Sequence, residues 1–500
     1  MSDALQQLKT RLDDIANINS AVGVLGWDQQ VFMPEGGSET RAGQLSTLSR
    51  IAHEMFIDPE VGKLLATAAT ESNGADYDSN DASLIRVTRR DYDQSTRIPA
   101  ALVAELNHHS TMAHPVWVKA RADNNFKLFA PYLQKTVELS RRMAEHLGYT
   151  DRLYDALIDQ FEPGMKTVEI EAMYDDLKQS TVPMIQKIKD RQDRANDDVL
   201  RRFYEEAKQS DFAVRVSREL GYDFNRGRQD RAVHPFCSGF SRDDVRITTR
   251  YDQHFLQAAL FGTMHESGHA MYEQGVGADL PKRLATGTSL GVHESQSRLW
   301  ENIVGRSRAF WTHYYPLIQQ VFPDSLGDVD LDTFYRAINK SAPSFIRVEA
   351  DEVTYNMHTL VRFELENEML DGKLDVMDAP DAWNAKMQAY LGITPPTDTL
   401  GILQDVHWSG GLMGYFSTYT IGNILSAQLY AKAIADVPSI PADIGQGKFS
   451  SLLGWLNTNV HAHGRKYMPQ ELVKRATGEP LNSRAYVQYL NTKYGEIYGF

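Results

Sequence analysis

The segment His254–Gly275, HFLQAALFGTMHESGHAMYEQG, decides how the rest of the chain is read. Its apolar residues recur at helical intervals and no proline interrupts it, so the pattern predicts one helix over 254–275. Asp252 is the expected N-cap and Gly275 the expected stop. On such a helix His265 and His269 share a face about one turn apart, where both imidazoles reach a single ion. Glu266 then lies about 100° round the axis from His265, beside the ion rather than on it. From there it takes a proton from a water that the metal activates, the general-base role in this pattern. The competing reading is a chance match, in which each buried imidazole finds another polar partner. Zinc is the expected ion.

A catalytic zinc takes a third protein ligand and keeps one position open. Glu294, in Gly291-Val292-His293-Glu294-Ser295-Gln296-Ser297-Arg298, is the expected third ligand. Residues 270–293 leave room for the helix to end, a loop to turn back and a second helix to begin. Its rivals are His293, Glu301 and Glu273. Glu273, one turn beyond His269, suits a place behind a ligand better than on the ion. His293 is expected behind a ligand or on substrate. The plain alternative for Glu294 is a surface ion pair with Arg298 at i,i+4.

Outward from this segment, helical periodicity dominates. Leu5, Leu8, Leu12 and Ile15 form one apolar stripe, and similar patterns recur around 130–147, 170–190, 296–320, 350–370 and 420–434. Glu71 to Ser83 and Pro323 to Asp330 read as polar loops, and Arg226 to Arg231 as a solvated basic run. One stretch differs: Asp244 to Tyr251, DVRITTRY, alternates and is rich in β-branched residues, which predicts a strand. Just before the motif helix, it is expected to lie at a sheet edge where a substrate backbone can pair. The fold class expected is therefore mainly α with a small sheet beside the site. No flexible linker divides the chain, so residues 1–500 are expected to form a single catalytic domain.

Composition narrows the function classes. A formal net charge of −14 argues against nucleic acid as a partner, and there is no polybasic patch for a membrane surface. No apolar run is long enough to span a bilayer. Met1-Ser2-Asp3 is acidic where an export signal would be basic, and Cys237, alone, closes no internal disulfide. A cytoplasmic enzyme is expected, with Cys237 a small core residue.

Six short motifs run along the chain: His234-Pro235-Phe236; Asp244-x-Arg246-x-Thr248; His265-Glu266-x-x-His269; His293-Glu294-Ser295-Gln296; Ile346-Arg347-x-x-Ala350-Asp351; and Gly401-x-x-Gln404-Asp405-x-His407-Trp408. A further stretch runs from Trp27-Asp28 through Met33-Pro34 to Arg41. In this order they resemble the carboxypeptidase Taq family of zinc carboxypeptidases, over nearly the whole chain and with no departure at the metal positions. The resemblance implies removal of single residues from peptide C-termini with many side chains accepted. It implies a helical, two-lobed body around a deep groove, similar to neurolysin and angiotensin-converting enzyme. Homodimers are implied, as is one zinc per chain, with cobalt active in some members. The family's ligand pattern maps onto His265, His269 and Glu294, with Glu266 as the base.

A terminal carboxylate is best recognised by a guanidinium fork. Arg347 is the first candidate and Arg246 the second, each against an ordinary ion pair with an acid such as Glu349 or Asp244; His234 joins them as a substrate-binding candidate. A donor to the oxyanion is expected in His407-Trp408-Ser409-Gly410-Gly411-Leu412-Met413-Gly414-Tyr415, where glycines admit close approach and His407 and Tyr415 carry the protons. Asp405 is expected to orient His407 or a ligand, Trp408 to pack, and the pair His461 and His463 to be structural. The activity expected is a zinc carboxypeptidase acting on peptides. An oligopeptidase or dipeptidyl carboxypeptidase on the same scaffold is the alternative. A scaffold protein without turnover is disfavoured by the intact Glu266.

Overall fold

The structure, a computed structural model, describes residues 3–500; Met1 and Ser2, in the acidic start read above, lie outside them. It is mostly helical, with one small sheet. The chain divides into two compact units, each assembled from three segments: Met1–Thr96, Asp198–Ile338 and Leu429–Pro480 in the first, and Arg97–Asp197, Asn339–Gln428 and Leu481–Phe500 in the second. Among the described residues no helix is long and apolar enough to cross a membrane.

In the first unit the helix Asp3–Val31 buries the stripe Leu5, Leu8, Leu12 and Ile15 against Phe56, Val61, Leu64, Leu65 and Leu84. The sheet comprises β1 (Gln229–Arg231), β2 (Cys237–Ser241) and β3 (Asp244–Thr249), in the order β1-β3-β2. β1 runs parallel and β2 antiparallel to β3, with a register irregularity between Gly239 and Ser241. The predicted strand thus forms, ending at Thr249, but it is central rather than at an edge. Its alternating Val245 and Ile247 are fully buried, and both of its hydrogen-bonding sides are taken by neighbours that carry little strand signal of their own. Cys237 lies half-buried on β2, not in the core.

The helix Leu256–Gly275 is buried along most of its faces, packing Leu256, Leu260, Phe261, Met264, Met271 and Tyr272 into the core. It starts two residues later than the pattern predicts: the Asp252 carboxylate accepts from His254 N in the preceding turn and so caps no helix. Two other expectations shift locally. The helix Asn80–Arg97 takes the end of the predicted 71–83 loop, and Pro323–Leu326 forms a helical turn with proline at its first position. Arg226 is no solvated charge; it binds Asp223 and the carbonyls of Arg242 and Gln274.

At the centre of the second unit is the helix Tyr355–Leu370, buried along almost its whole length. Met357, Leu360, Val361, Phe363, Leu365 and Met369 supply its apolar surface. One stripe, His358, Arg362 and Glu366, is polar and fully buried. Spaced at i,i+4,i+8, these three lie along one face, and Arg362 and Glu366 find polar partners there.

Candidate functional site

Two helical segments of the first unit meet at the motif. Leu256–Gly275 carries His265, Glu266 and His269. The second helix, Leu290–Arg298, is capped by the Ser289 hydroxyl, which accepts from Val292 N, and it carries Glu294. It runs on into a π-helical turn, Leu299–Val304, closed by a bond from Gly305 N to the Trp300 carbonyl at 3.0 Å. Such turns gather at functional sites.

His265, His269 and Glu294 each offer a ligand atom, and the three atoms lie within 4.8 Å of one another. Nε2 of His265 is 3.7 Å and Nε2 of His269 3.5 Å from Oε2 of Glu294. Those separations are long for hydrogen bonds. They match the edges of a tetrahedron, roughly 3.4 Å, whose corners sit about 2.0–2.2 Å from a central zinc. The donor set therefore fits a tetrahedral ion with a position left open. The i,i+4 ion pair with Arg298 is present too, but buried rather than on a solvated face: the other oxygen of Glu294, Oε1, accepts from Arg298 Nε at 2.7 Å.

The rivals for the third position stand behind the rings. Nδ1 of His265 meets Glu301 Oε2 at 2.9 Å, an acid that the π-turn carries and that also receives Arg298 at 3.3 Å. Nδ1 of His269 meets Nδ1 of His293 at 2.7 Å. The far nitrogen of that ring, Nε2, lies 2.7 Å from Glu273 Oε1. Gln296 faces away, toward His461, whose two nitrogens meet Gln296 and Asn457; that histidine is a satisfied core group, as the sequence suggested.

Charge in this cluster is sharply graded. Burial opposes the charge of His265, yet the carboxylates of Glu294, Glu301 and Glu266 lift it to about 8. Burial pushes His269 down to about 4. Glu294 and Glu301, despite burial, are held well below the ordinary carboxylate range, chiefly by Arg298. Burial lifts the Glu266 carboxyl to about 7. Glu266 is 6% exposed, and its carboxylate makes no hydrogen bond to any described residue. A carboxylate left so, next to three ligand-type groups, is poised to exchange a proton.

The other sequence candidates fall in two places. In the first unit, Arg246 on β3 forks onto Asp244 with two 2.8 Å bonds and lies over the Trp27 ring, and His234 is exposed. In the second unit, Arg347 is 4% exposed. Its Nε and Nη2 both reach Asp405 Oδ1, at 3.1 and 2.7 Å, and Nη1 reaches the Tyr355 hydroxyl at 2.8 Å. Arg362 holds the other oxygen of Asp405 at 2.6 Å. Burial opposes ionisation of Asp405, but Arg362 and Arg347 keep its carboxyl far below the usual range. Asp405 orients the arginines rather than His407, whose Nδ1 is 3.7 Å away, beyond hydrogen-bond reach.

His407 and Tyr415 do come together, ring centroids 5.2 Å apart, and the Tyr419 hydroxyl lies 3.5 Å from His407 Nε2. Sequence reasoning missed Tyr419 and, more consequentially, Glu366. That buried carboxylate accepts from the Tyr154 hydroxyl at 2.5 Å, Trp408 Nε1 at 2.7 Å and Gly414 N at 2.9 Å. It therefore clasps the glycine-rich loop at both ends. Trp408, read as packing, is buried and is also one of the clasped donors. Burial lifts Glu366 to about 7.

The chain matches the family model of the carboxypeptidase Taq (M32) metallopeptidases over residues 7–494. It is 40% identical to thermostable carboxypeptidase 1 of Thermus thermophilus over 510 residues, covering 99% of each chain. It is 39% identical to carboxypeptidase 1 of Bacillus subtilis over 488 residues, covering 97% of each. The crystal structure of the M32 carboxypeptidase from Deinococcus radiodurans R1 superposes on it with a TM-score of 0.97, at 43% identity and over 100% of both chains.

Proposed function

This chain belongs to the carboxypeptidase Taq (M32) metallopeptidase family, and from that premise we propose that it releases single C-terminal amino acids, with broad side-chain acceptance, from unstructured peptides. His265, His269 and Glu294 would hold one zinc ion, with cobalt an effective substitute. The single observation that carries this is the spacing of their ligand atoms, 3.5 and 3.7 Å across the Glu294 contacts, beside a Glu266 carboxylate with no hydrogen-bond partner among the described residues. When bound, the ion supplies Lewis-acid chemistry, polarising the scissile carbonyl and acidifying a water.

The chain's own groups do the rest. Glu266, with a carboxyl near neutrality, removes the proton of the attacking water and delivers it to the leaving amine. His407 and Tyr415 donate to the developing oxyanion, from a loop that Glu366 holds in shape. Arg347 anchors the terminal carboxylate, with Arg246 as the alternative and His234 as a further substrate contact. Arg298, binding both Glu294 and Glu301, keeps these two acids ionised. The proposal takes residues 1–500 as one catalytic domain. A homodimer follows from the family resemblance, and a cytoplasmic setting from the single cysteine.

The test is a mass-spectrometric time course on an unstructured peptide with zinc-loaded protein, chelated protein and Glu266→Gln. Stepwise loss of single C-terminal residues by the loaded wild type alone is the expected result. Dipeptides or internal fragments would replace it with the dipeptidyl carboxypeptidase or oligopeptidase reading. An intact peptide in all three samples, with no zinc retained, would leave a scaffold protein.

A further inference from the structure

Two histidines face the ion on the reading above, but their outer nitrogens are treated differently. His265 leans directly on the carboxylate of Glu301. His269 leans on another imidazole, and only beyond it comes a carboxylate, Glu273. Two ring nitrogens 2.7 Å apart share one proton, and either ring can own it. Which one does decides whether the inner nitrogen of His269 presents a lone pair or a proton.

We propose that Glu273 and His293 form a positioning relay that fixes the tautomer of His269 for metal binding, an inference that rests on the zinc reading above. Glu273 Oε1, 2.7 Å from His293 Nε2, already accepts from the Thr286 hydroxyl and Gly287 N, each at 3.0 Å. An oxygen that accepts from both is a carboxylate oxygen with no proton to give, so the contact requires a proton at His293 Nε2. A neutral His293 protonated at Nε2 has a bare Nδ1. The proton between the rings then belongs to His269 Nδ1, and its Nε2 is bare and aimed at Oε2 of Glu294. Glu273 thus sets the state of a ligand atom from the far side of an intervening imidazole.

The relay ring is packed among close neighbours. Its centroid lies 5.0 Å from that of Tyr272 and 4.9 Å from that of His269. On the remaining side is Gly287, where a β-carbon would stand 2.6 Å from His293 Cδ2. Glycine at 287 lets the ring stand where it does, and the same residue's N–H holds Glu273. On β2, Gly239 packs against Glu273, where a β-carbon would make an ordinary contact 3.4 Å from its Cγ. Ring, carboxylate and both backbones are mutually fitted, which a ligand-orienting device requires and a solvated pair does not.

The experiment measures cobalt affinity, by competition with a chromophoric chelator, for wild type, Glu273→Gln, His293→Phe and the double variant, with thermal melts of each metal-free protein. A loss of about 10–100-fold in cobalt affinity in each single variant is expected, with a cooperative metal-free melt showing that the variant is folded. The double variant should then be no worse than the weaker single one, because both changes cut one relay. Wild-type affinity in Glu273→Gln, or losses that multiply in the double variant, would overturn the relay and leave the zinc reading standing. A wild type that takes up no cobalt would remove both. Independently of any variant's folding, nitrogen-15 histidine spectra of the zinc-loaded wild type should show His293 protonated at Nε2 and bare at Nδ1. The opposite tautomer overturns the proposal.

Discussion

Gly268 touches the backbone of Gln296: a β-carbon at 268 would stand 2.6 Å from the Gln296 carbonyl oxygen and 2.7 Å from Ser297 Cα. The glycine inside the motif therefore sets how closely the helix of Glu294 approaches the helix of the two histidines. Gly268→Ala must push these helices apart. Overpacking of this kind costs about 1–3 kcal/mol, and here it also lengthens both Glu294 contacts. We expect reduced stability on urea denaturation together with weaker zinc retention after dialysis. Unchanged zinc retention would show that the approach of the helices is not what places Glu294.

Metal removal should leave the fold standing. The motif helix is held by Leu256, Leu260, Phe261, Met264 and Met271, all buried without reference to an ion. Chelation is therefore expected to abolish peptide hydrolysis and to leave the far-ultraviolet circular dichroism unchanged, with activity returning on addition of zinc. Collapse of the helical signal on chelation would make the ion structural rather than catalytic.

Asp405 neutralises two arginines at once, Arg362 with a side chain 0% exposed and Arg347 with one 5% exposed. Asp405→Asn leaves both charges buried without a counter-ion, and breaking such an arrangement costs about 3–5 kcal/mol. Equilibrium denaturation should register this even in metal-free protein, where no catalytic effect intrudes.

Glu366 makes stability depend on pH in an unusual direction. Its carboxyl, lifted by burial from 4.5 to about 7, holds a proton more tightly folded than unfolded. Its contribution is then complete below about pH 4.5, falls as pH rises toward 7 and is flat above, up to about 3 kcal/mol in all. Denaturation of wild type and Glu366→Gln at pH 5 and pH 8 should differ in slope accordingly. Parallel behaviour of the two proteins would mean that Glu366 is ionised throughout.

For the terminal carboxylate, lysine at the anchoring position keeps the charge and loses the fork. Arg347→Lys is expected to raise KM about tenfold or more with metal content unchanged, whereas Arg246→Lys changes KM less. The reverse order would transfer the role to Arg246.

Much of this was legible from residue spacing. The His265–His269 interval needs only helix geometry, and the helical periodicities at 170–190, 350–370 and 420–434 each meet a helix. What escaped depends on contacts distant in sequence. Glu364, Glu366 and Glu368 are the same residue type at alternate positions along FELENE, and only tertiary packing separates the fully buried Glu366 from its neighbours. Strand order is equally silent in the residues: β3 looks the same whether its flanks are open or paired, so its central position could not be read. Spacing places the rivals His293, Glu273 and Glu301 near the ion, but their order behind the rings is set by tertiary contacts that spacing does not encode.

The π-helical turn at Leu299–Val304 has a further consequence for how this segment can change over evolutionary time. Such a turn is an α-helix carrying one residue in excess. Substitution at Leu299 or Ile303 repacks a side chain, whereas deletion of Leu299 or Trp300 would regularise the helix and swing Glu301 about 100° round the axis of the helix that carries Glu294, away from His265. The segment's length is thus under tighter constraint than its composition, and indels, rather than point changes, should be what lineages of this chain avoid between Glu294 and Gly305.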